Sequence, residues 1–160
     1  MKNYKIRKAE ITDIDRINCL LYQVAKIHAE GRPDIFKTET KKYTDEQLIS
    51  IINDPQTPVF VAVDDDNTVY GYAFCICQEV KDNTLLCDRR TLYIDDLCVD
   101  EVCRGKSVGT LLYNHVTEYA KENGFDAITL NVWCLNESAL GFYRKLGLSP
   151  LKYVMEERLK

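Results

Sequence analysis

Three groups of residues in this sequence have types and spacing that suit chemistry. The first is the turn Arg104-Gly105-Lys106-Ser107-Val108-Gly109-Thr110, where glycines and a serine sit among cations. A helical apolar pattern of Val108, Leu111, Leu112, His115, Val116 and Tyr119 begins at once behind it. Such a turn can point several backbone N–H groups outward together at the positive end of a helix, an arrangement that binds phosphate. The second group is Asp95-Asp96, a carboxylate pair at the entry to Leu97-Cys98-Val99. Acids there can draw in a cation or accept a proton. The third is the segment from Asn131 to Leu148, which breaks at Asn136 and then carries Phe142-Tyr143. A phenol can donate a proton or a hydrogen bond to a leaving group.

Neighbouring chemistries fit less well. Gly105-Lys106-Ser107 looks like the end of a P-loop, but that motif needs an earlier glycine where this chain has Asp100. The seven cysteines form no Cys-x-x-Cys pair. Cys75 and Cys77 face the same way on a strand, but the only histidines, His28 and His115, lie far apart. Free buried thiols are favoured over a zinc site, and no metal is expected. A nucleophilic thiol at Cys98 or Cys134 would lack a histidine close in sequence.

The elements that must position these groups can be traced in order. Tyr4 to Ala9 reads as a strand, and Thr12 as the cap of a helix carrying Ile14, Ile17, Leu21, Val24 and His28 on one face. Gly31 and Pro33 end that helix in a loop running to Phe36. A second helix starts after Thr44, with Gln47 completing a capping box, and stops near Asn53-Asp54-Pro55. Val59–Val63 and Thr68–Gln78 read as a hairpin about Asp64-Asp65-Asp66-Asn67. A polar loop from Lys81 to Arg90 precedes the strand Thr91–Val99. The central helix runs from about Lys106 to Asn123, with Gly124 suited to a left-handed cap. Ala127–Trp133 reads as a buried strand, Asn136–Lys145 as a short helix before Gly147, and Tyr153–Arg158 as a last strand.

One domain over residues 1–160 accommodates all of this, without linker or repeat. The hydrophobic fraction is 46%, the charged fraction 29% and the net charge −4. That balance argues against a broad nucleic-acid or acidic-membrane partner. No apolar run is long enough to span a bilayer, and the cationic start has no apolar signal core behind it. A cytoplasmic protein is the expectation.

At the two motif segments the chain resembles the GNAT superfamily of acetyl-CoA-dependent N-acetyltransferases. That family's phosphate turn, Arg/Gln-x-x-Gly-x-Gly/Ala, stands here as Arg104 to Gly109, with Ser107 where glycine is usual. Its second motif stands as Asn136, Ala139, Phe142-Tyr143 and Lys145-Leu146-Gly147. The resemblance implies an α/β (α+β) fold with a central mixed, mostly antiparallel sheet of about six or seven strands. The sheet would splay between its fourth and fifth strands and carry about four flanking helices.

The resemblance also implies site roles. The pyrophosphate of acetyl-CoA, the co-substrate, would sit on the amides from Arg104 through Thr110: Arg104, Gly105, Lys106, Ser107, Val108, Gly109 and Thr110. The pantetheine arm would lie along Leu97, Cys98 and Val99 and meet Asn136. Tyr143 would be the catalytic group at the departing sulfur. Several members place a glutamate base where this chain has Asn131, so the base is left among Asp95, Asp96 and a water chain. Asp95 and Asp96, which resemble a stretch of polyamine acetyltransferases, would bind the acceptor together with Trp133.

The resulting expectation is direct attack of a primary amine on acetyl-CoA in a ternary complex. A small cationic amine, a diamine or polyamine first, is the expected acceptor. A protein N-terminus or lysine as acceptor, and a non-catalytic acyl-CoA sensor, are the alternatives; a homodimer is left open.

Overall fold

A computed structural model describes residues 3–160 of the chain. The elements are β1 (Lys5–Lys8), α1 (Ile14–Gly31), α2 (Asp45–Asn53), β2 (Val59–Val63), β3 (Val69–Val80), β4 (Arg89–Val99), α3 (Val108–Glu122), β5 (Ala127–Leu130) and α4 (Glu137–Lys145). Short 3-10 turns lie at Ile11–Asp13 and Glu101–Cys103. The strands form one sheet in the order β1-β2-β3-β4-β5. The first four are antiparallel neighbours, and β5 joins β4 in parallel after the crossover through α3.

The unbroken apolar run of β2 follows from its place, for all five of its residues are buried between two cores. One core packs α1 and α2 on the sheet through Ile17, Leu20, Leu21 and Leu48 against Val61, Val63, Tyr72 and Phe74. The other packs α3 on the opposite face through Val108, Leu112 and Val116 against Phe60, Leu92 and Ile94. The sequence pattern is matched closely at α2, where Thr44 and Gln47 form the reciprocal capping box.

Several expectations need correction. The sheet has five strands, not six or seven. Tyr153–Arg158 forms no strand, because no sheet edge of its own chain pairs with it. β5 stops at Leu130 rather than Trp133, and its residues are only half-buried. Thr12 is not the cap that opens α1. Glu10 and Asp13 form the capping box two residues earlier, around the 3-10 turn. Asp13 is fixed there by Arg7, which donates to both of its carboxylate oxygens at 2.7 and 2.9 Å.

Candidate active site

The site is built around an irregularity in β4. Phe74 pairs with Asp96, but Cys75 pairs with Ile94, so Asp95 is an extra residue bulged out of the ladder. Side chains normally alternate between sheet faces. The bulge resets that alternation, so both acids reach groups packed on the α1–α2 side. Asp95 accepts from Lys42 Nζ at 2.8 Å and from the Tyr43 hydroxyl. Asp96 accepts from the Tyr72 hydroxyl at 2.9 Å. The two carboxylates therefore differ in kind. Asp95 is paired with a cation. Asp96 has only a neutral donor, and its pKa is pushed up to about 6, by burial first and by the charge of Asp95, against the pull of Lys42 and Tyr72.

Beside these acids the sheet opens. β4 and β5 pair only from Thr91–Ala127 to Ile94–Leu130, whereas β4 stays paired with β3 as far as Val99–Gly71. From Asp95 to Val99 the outer edge of β4 has no strand beside it among the described residues. Leu97 and Val99 border the α3-side core, and Cys98 is buried in the core under α1. Burial pushes the Cys98 thiol up to about 12, so it is a packing residue and a poor nucleophile.

The turn from Arg104 to Thr110 follows directly. Asp100, buried, is held by Arg16 of α1, which also donates to the Val69 carbonyl at 3.0 Å. This anchors the start of the turn. Gly105 and Ser107 both adopt left-handed backbone, at φ +76° and +63°. For Ser107 that conformation carries a steric cost that glycine would avoid, on the order of 1–2 kcal/mol. The N–H groups of Gly105, Ser107, Val108, Gly109 and Thr110 meet no acceptor among the described residues, while Leu111 N–H already bonds Ser107 O. Five free donors at a helix start, with exposed Arg104 and Lys106 beside them, fit a diphosphate. The free β4 edge fits an amide-bearing arm.

α4 closes the far side of the opening. Asn136 caps it, accepting from Ala139 N–H at 3.1 Å. Phe142 packs against Gly109, where an added Cβ would stand 3.2 Å from the ring, so the glycine is also a docking point between α3 and α4. Tyr143 makes no side-chain hydrogen bond among the described residues. Burial and the nearby Asp96 charge raise its pKa well above that of an ordinary phenol, so it stays protonated. The charge of Asp96 is thus felt at Tyr143.

The remaining expected residues gather at the end of α1. Trp133 meets Phe36 edge-on at 5.1 Å, and Phe36 stacks on His28 at 4.9 Å. Burial and the charge of Lys42 lower the His28 pKa, keeping the imidazole neutral. Asn131 donates to the Tyr93 hydroxyl at 3.1 Å, a structural role for the residue at the position of the family glutamate. Cys134 is exposed. Lys42, Tyr43 and Tyr72 were not foreseen. Nothing in a polar loop marks Lys42, and the Tyr72–Asp96 contact depends on a register that the bulge hides.

Comparison with known proteins agrees with this geometry. The model of the acetyltransferase (GNAT) family matches residues 21–148. An uncharacterized N-acetyltransferase of Methanocaldococcus jannaschii, MJ1207, is 32% identical over 84 residues, 52% of this chain and 36% of that protein. The streptothricin acetyltransferase of Streptomyces lavendulae is 29% identical over 96 residues, 60% of this chain and 47% of the relative. The chain thus spans half or less of the length of these curated relatives. A crystal structure of a mutant BH1408 protein from Bacillus halodurans superposes with a TM-score of 0.94 at 31% identity, covering 98% of this chain and 99% of that one. With this likeness of fold and the family match over most of its length, the chain belongs to the acetyltransferase (GNAT) family.

Proposed function

We propose that the chain is an acetyl-CoA-dependent N-acetyltransferase acting by direct attack of a primary amine in a ternary complex. The observation that supports this reading is the gap between β4 and β5 past Ile94, which leaves Asp96 on the unpaired stretch of β4 ahead of the free backbone donors of the turn. The turn from Arg104 to Thr110 holds the diphosphate, and the β4 edge at Leu97–Val99 orients the arm that carries the thioester. Acetyl-CoA supplies the activated acyl group.

Asp96 is the general base. With a pKa near 6 it is ionised at neutral pH yet basic enough to take a proton from an alkylammonium, directly or through one water. The amine nitrogen bonds to the acyl carbon as the carbon–sulfur bond breaks, and the electron pair leaves on sulfur. Tyr143 donates a hydrogen bond to that sulfur. Its raised pKa makes it a better hydrogen-bond donor than proton donor. Of the two protons that the ammonium loses, one leaves to water through Asp96 and the other, shed by the nitrogen once it is bonded to the acyl carbon, ends on the thiol. A route through acetyl-Cys98 is disfavoured by the burial of that thiol.

Lys42 refines the acceptor. It already neutralises Asp95, so the acidic pair presents one uncompensated charge, on Asp96. This favours a singly charged amine over a polyamine. Trp133 and Phe36, joined by neutral His28, offer an apolar wall for its body. A turnover screen of acetyl-CoA against monoamines, polyamines, aminoglycosides and lysine peptides tests the reading. Turnover with a monoamine supports it, and preference for a polyamine would show that Lys42 moves aside. CoA binding without turnover on any amine would leave the sensor.

A further inference from the structure

Each acid of the pair at the bulge has its own tyrosine, and the two tyrosines are held differently. Tyr43 lies in the segment before α2 and shares Asp95 with Lys42. Tyr72 belongs to β3, the middle strand of the sheet, and none of its surface reaches water. It is among the largest fully buried side chains of the protein, packed in one core with Ile17, Leu20 and Leu21 of α1. Its ring meets Phe74 edge-on at 4.9 Å. Packing of this kind holds the ring in place.

A buried phenol needs a partner for its hydroxyl, and the strand register supplies one. Tyr72 stands opposite Cys98 and Phe74 opposite Asp96, so the hydroxyl crosses the ladder diagonally to the acid two residues along β4. It donates to Asp96 Oδ2 at 2.9 Å. No side chain donates to Oδ1 among the described residues. Burial first, and then the Asp96 charge, raise the Tyr72 pKa well above the ordinary phenol range, so the group stays a neutral donor. Lys42 cancels the charge of Asp95. Tyr72 steadies Asp96 and leaves its charge in place.

We infer that Tyr72 is a positioning residue for the amine step: its hydroxyl fixes the Asp96 carboxylate through Oδ2 and leaves Oδ1 for the arriving amine. The inference rests on the proposed role of Asp96 as base, and Tyr72 acts only through that residue. The other groups that bear on the carboxylate are Lys42 and Tyr43 from the segment before α2, Asp95 and Cys98 within β4, and Tyr143 from α4. Tyr72 alone joins it by a side-chain hydrogen bond among the described residues. That bond favours the ionised form, so its loss raises the Asp96 pKa.

Tyr72→Phe keeps the ring in the core and removes the donor. The Asp96 carboxyl titration, followed by carbon-13 NMR of the free protein, and the acid limb of kcat/KM with one amine should both move to higher pH by about 1 unit, the scale of one hydrogen bond to a charged group. Above the limb kcat should fall roughly tenfold as the carboxylate loses its aim, with KM for acetyl-CoA unchanged. In an Asp96→Asn background Tyr72→Phe should cost nothing further. Site-specific 3-fluorotyrosine in place of Tyr72, a more acidic phenol and a stronger donor, should move the titration to lower pH; it keeps the core filled and decides alone if Tyr72→Phe does not fold. An Asp96 titration unmoved by either replacement, or additive losses in the double variant, would overturn the inference and reduce Tyr72 to packing. A titration that moves while the rate profile stays still would instead remove Asp96 as the base and leave the hold of Tyr72 on it standing.

Discussion

Lys42 Nζ lies 2.8 Å from the Asp95 carboxylate, so one of two adjacent acids at the bulge of β4 is neutralised and its neighbour is not. The same cation lowers the pKa of Asp96, while the Asp95 charge raises it. The two residues therefore tune Asp96 in opposite directions. Lys42→Met should move the acid limb of the kcat/KM profile to higher pH by about 0.5–1 unit. Asp95→Asn should move it to lower pH. Shifts of the same sign in both variants, measured with one amine across pH 5 to 9, would mean that the limb belongs to another group.

Asp96→Asn separates catalysis from stability. The substitution removes the base and keeps an acceptor for Tyr72, so turnover should fall by roughly 10²–10⁴. Stability should rise. The Asp96 carboxyl has a folded pKa of about 6 against 3.8 unfolded, so the folded state binds the extra proton. Its contribution is favourable at low pH and is lost as pH rises from about 4 through 6. At pH 7 the variant should thus be more stable, by up to about 3 kcal/mol, and at pH 4 by little. Melting temperatures at the two pH values check this. A variant less stable at pH 7 would show that ionised Asp96 is well solvated.

Much of the scaffold was legible in the sequence, and for local reasons. The Thr44–Gln47 box, the positive-φ Gly124 and the apolar face of α3 are encoded within a few residues of where they act. What escaped depends on pairing. The bulge at Asp95 is visible only against the partner strand β3, and it alone decides that adjacent acids face one side. Lys42 comes from a loop distant in sequence. Tyr153–Arg158 reads as a strand from its β-forming residues, but composition does not supply a sheet edge, and the segment pairs with none. Ser107 stands where the family turn usually has glycine, and the structure gives it the left-handed conformation that glycine adopts most freely.

Tyr143→Phe keeps the ring in place beside Phe142 and removes the hydrogen-bond donor. If the hydroxyl steadies the departing thiolate, kcat should drop by roughly 10²–10³, the scale of losing one preorganised donor. KM for acetyl-CoA should hardly change. The deficit should shrink with an acyl donor whose thiol is more acidic, since that leaving group needs less help. An equal deficit with both donors would reduce Tyr143 to a packing residue.

The turn from Arg104 to Thr110 makes its own contrast between two nearby positions. Ser107→Gly relieves the left-handed strain, although glycine also gains freedom in the unfolded chain. The net gain should be about 0–1 kcal/mol of stability, with acetyl-CoA binding retained because the N–H remains. Gly109→Ala should behave in the opposite way. Its Cβ would crowd the Phe142 ring at 3.2 Å, while Val99 at 3.5 Å stays at ordinary contact, so the strain falls on the packing of α4 against α3. A loss of about 1–3 kcal/mol of stability is expected from that overpacking, together with weaker acetyl-CoA binding by calorimetry. If Gly109→Ala binds acetyl-CoA as tightly as the parent, the contact between α3 and α4 yields freely, and the cradle does not depend on where α4 docks.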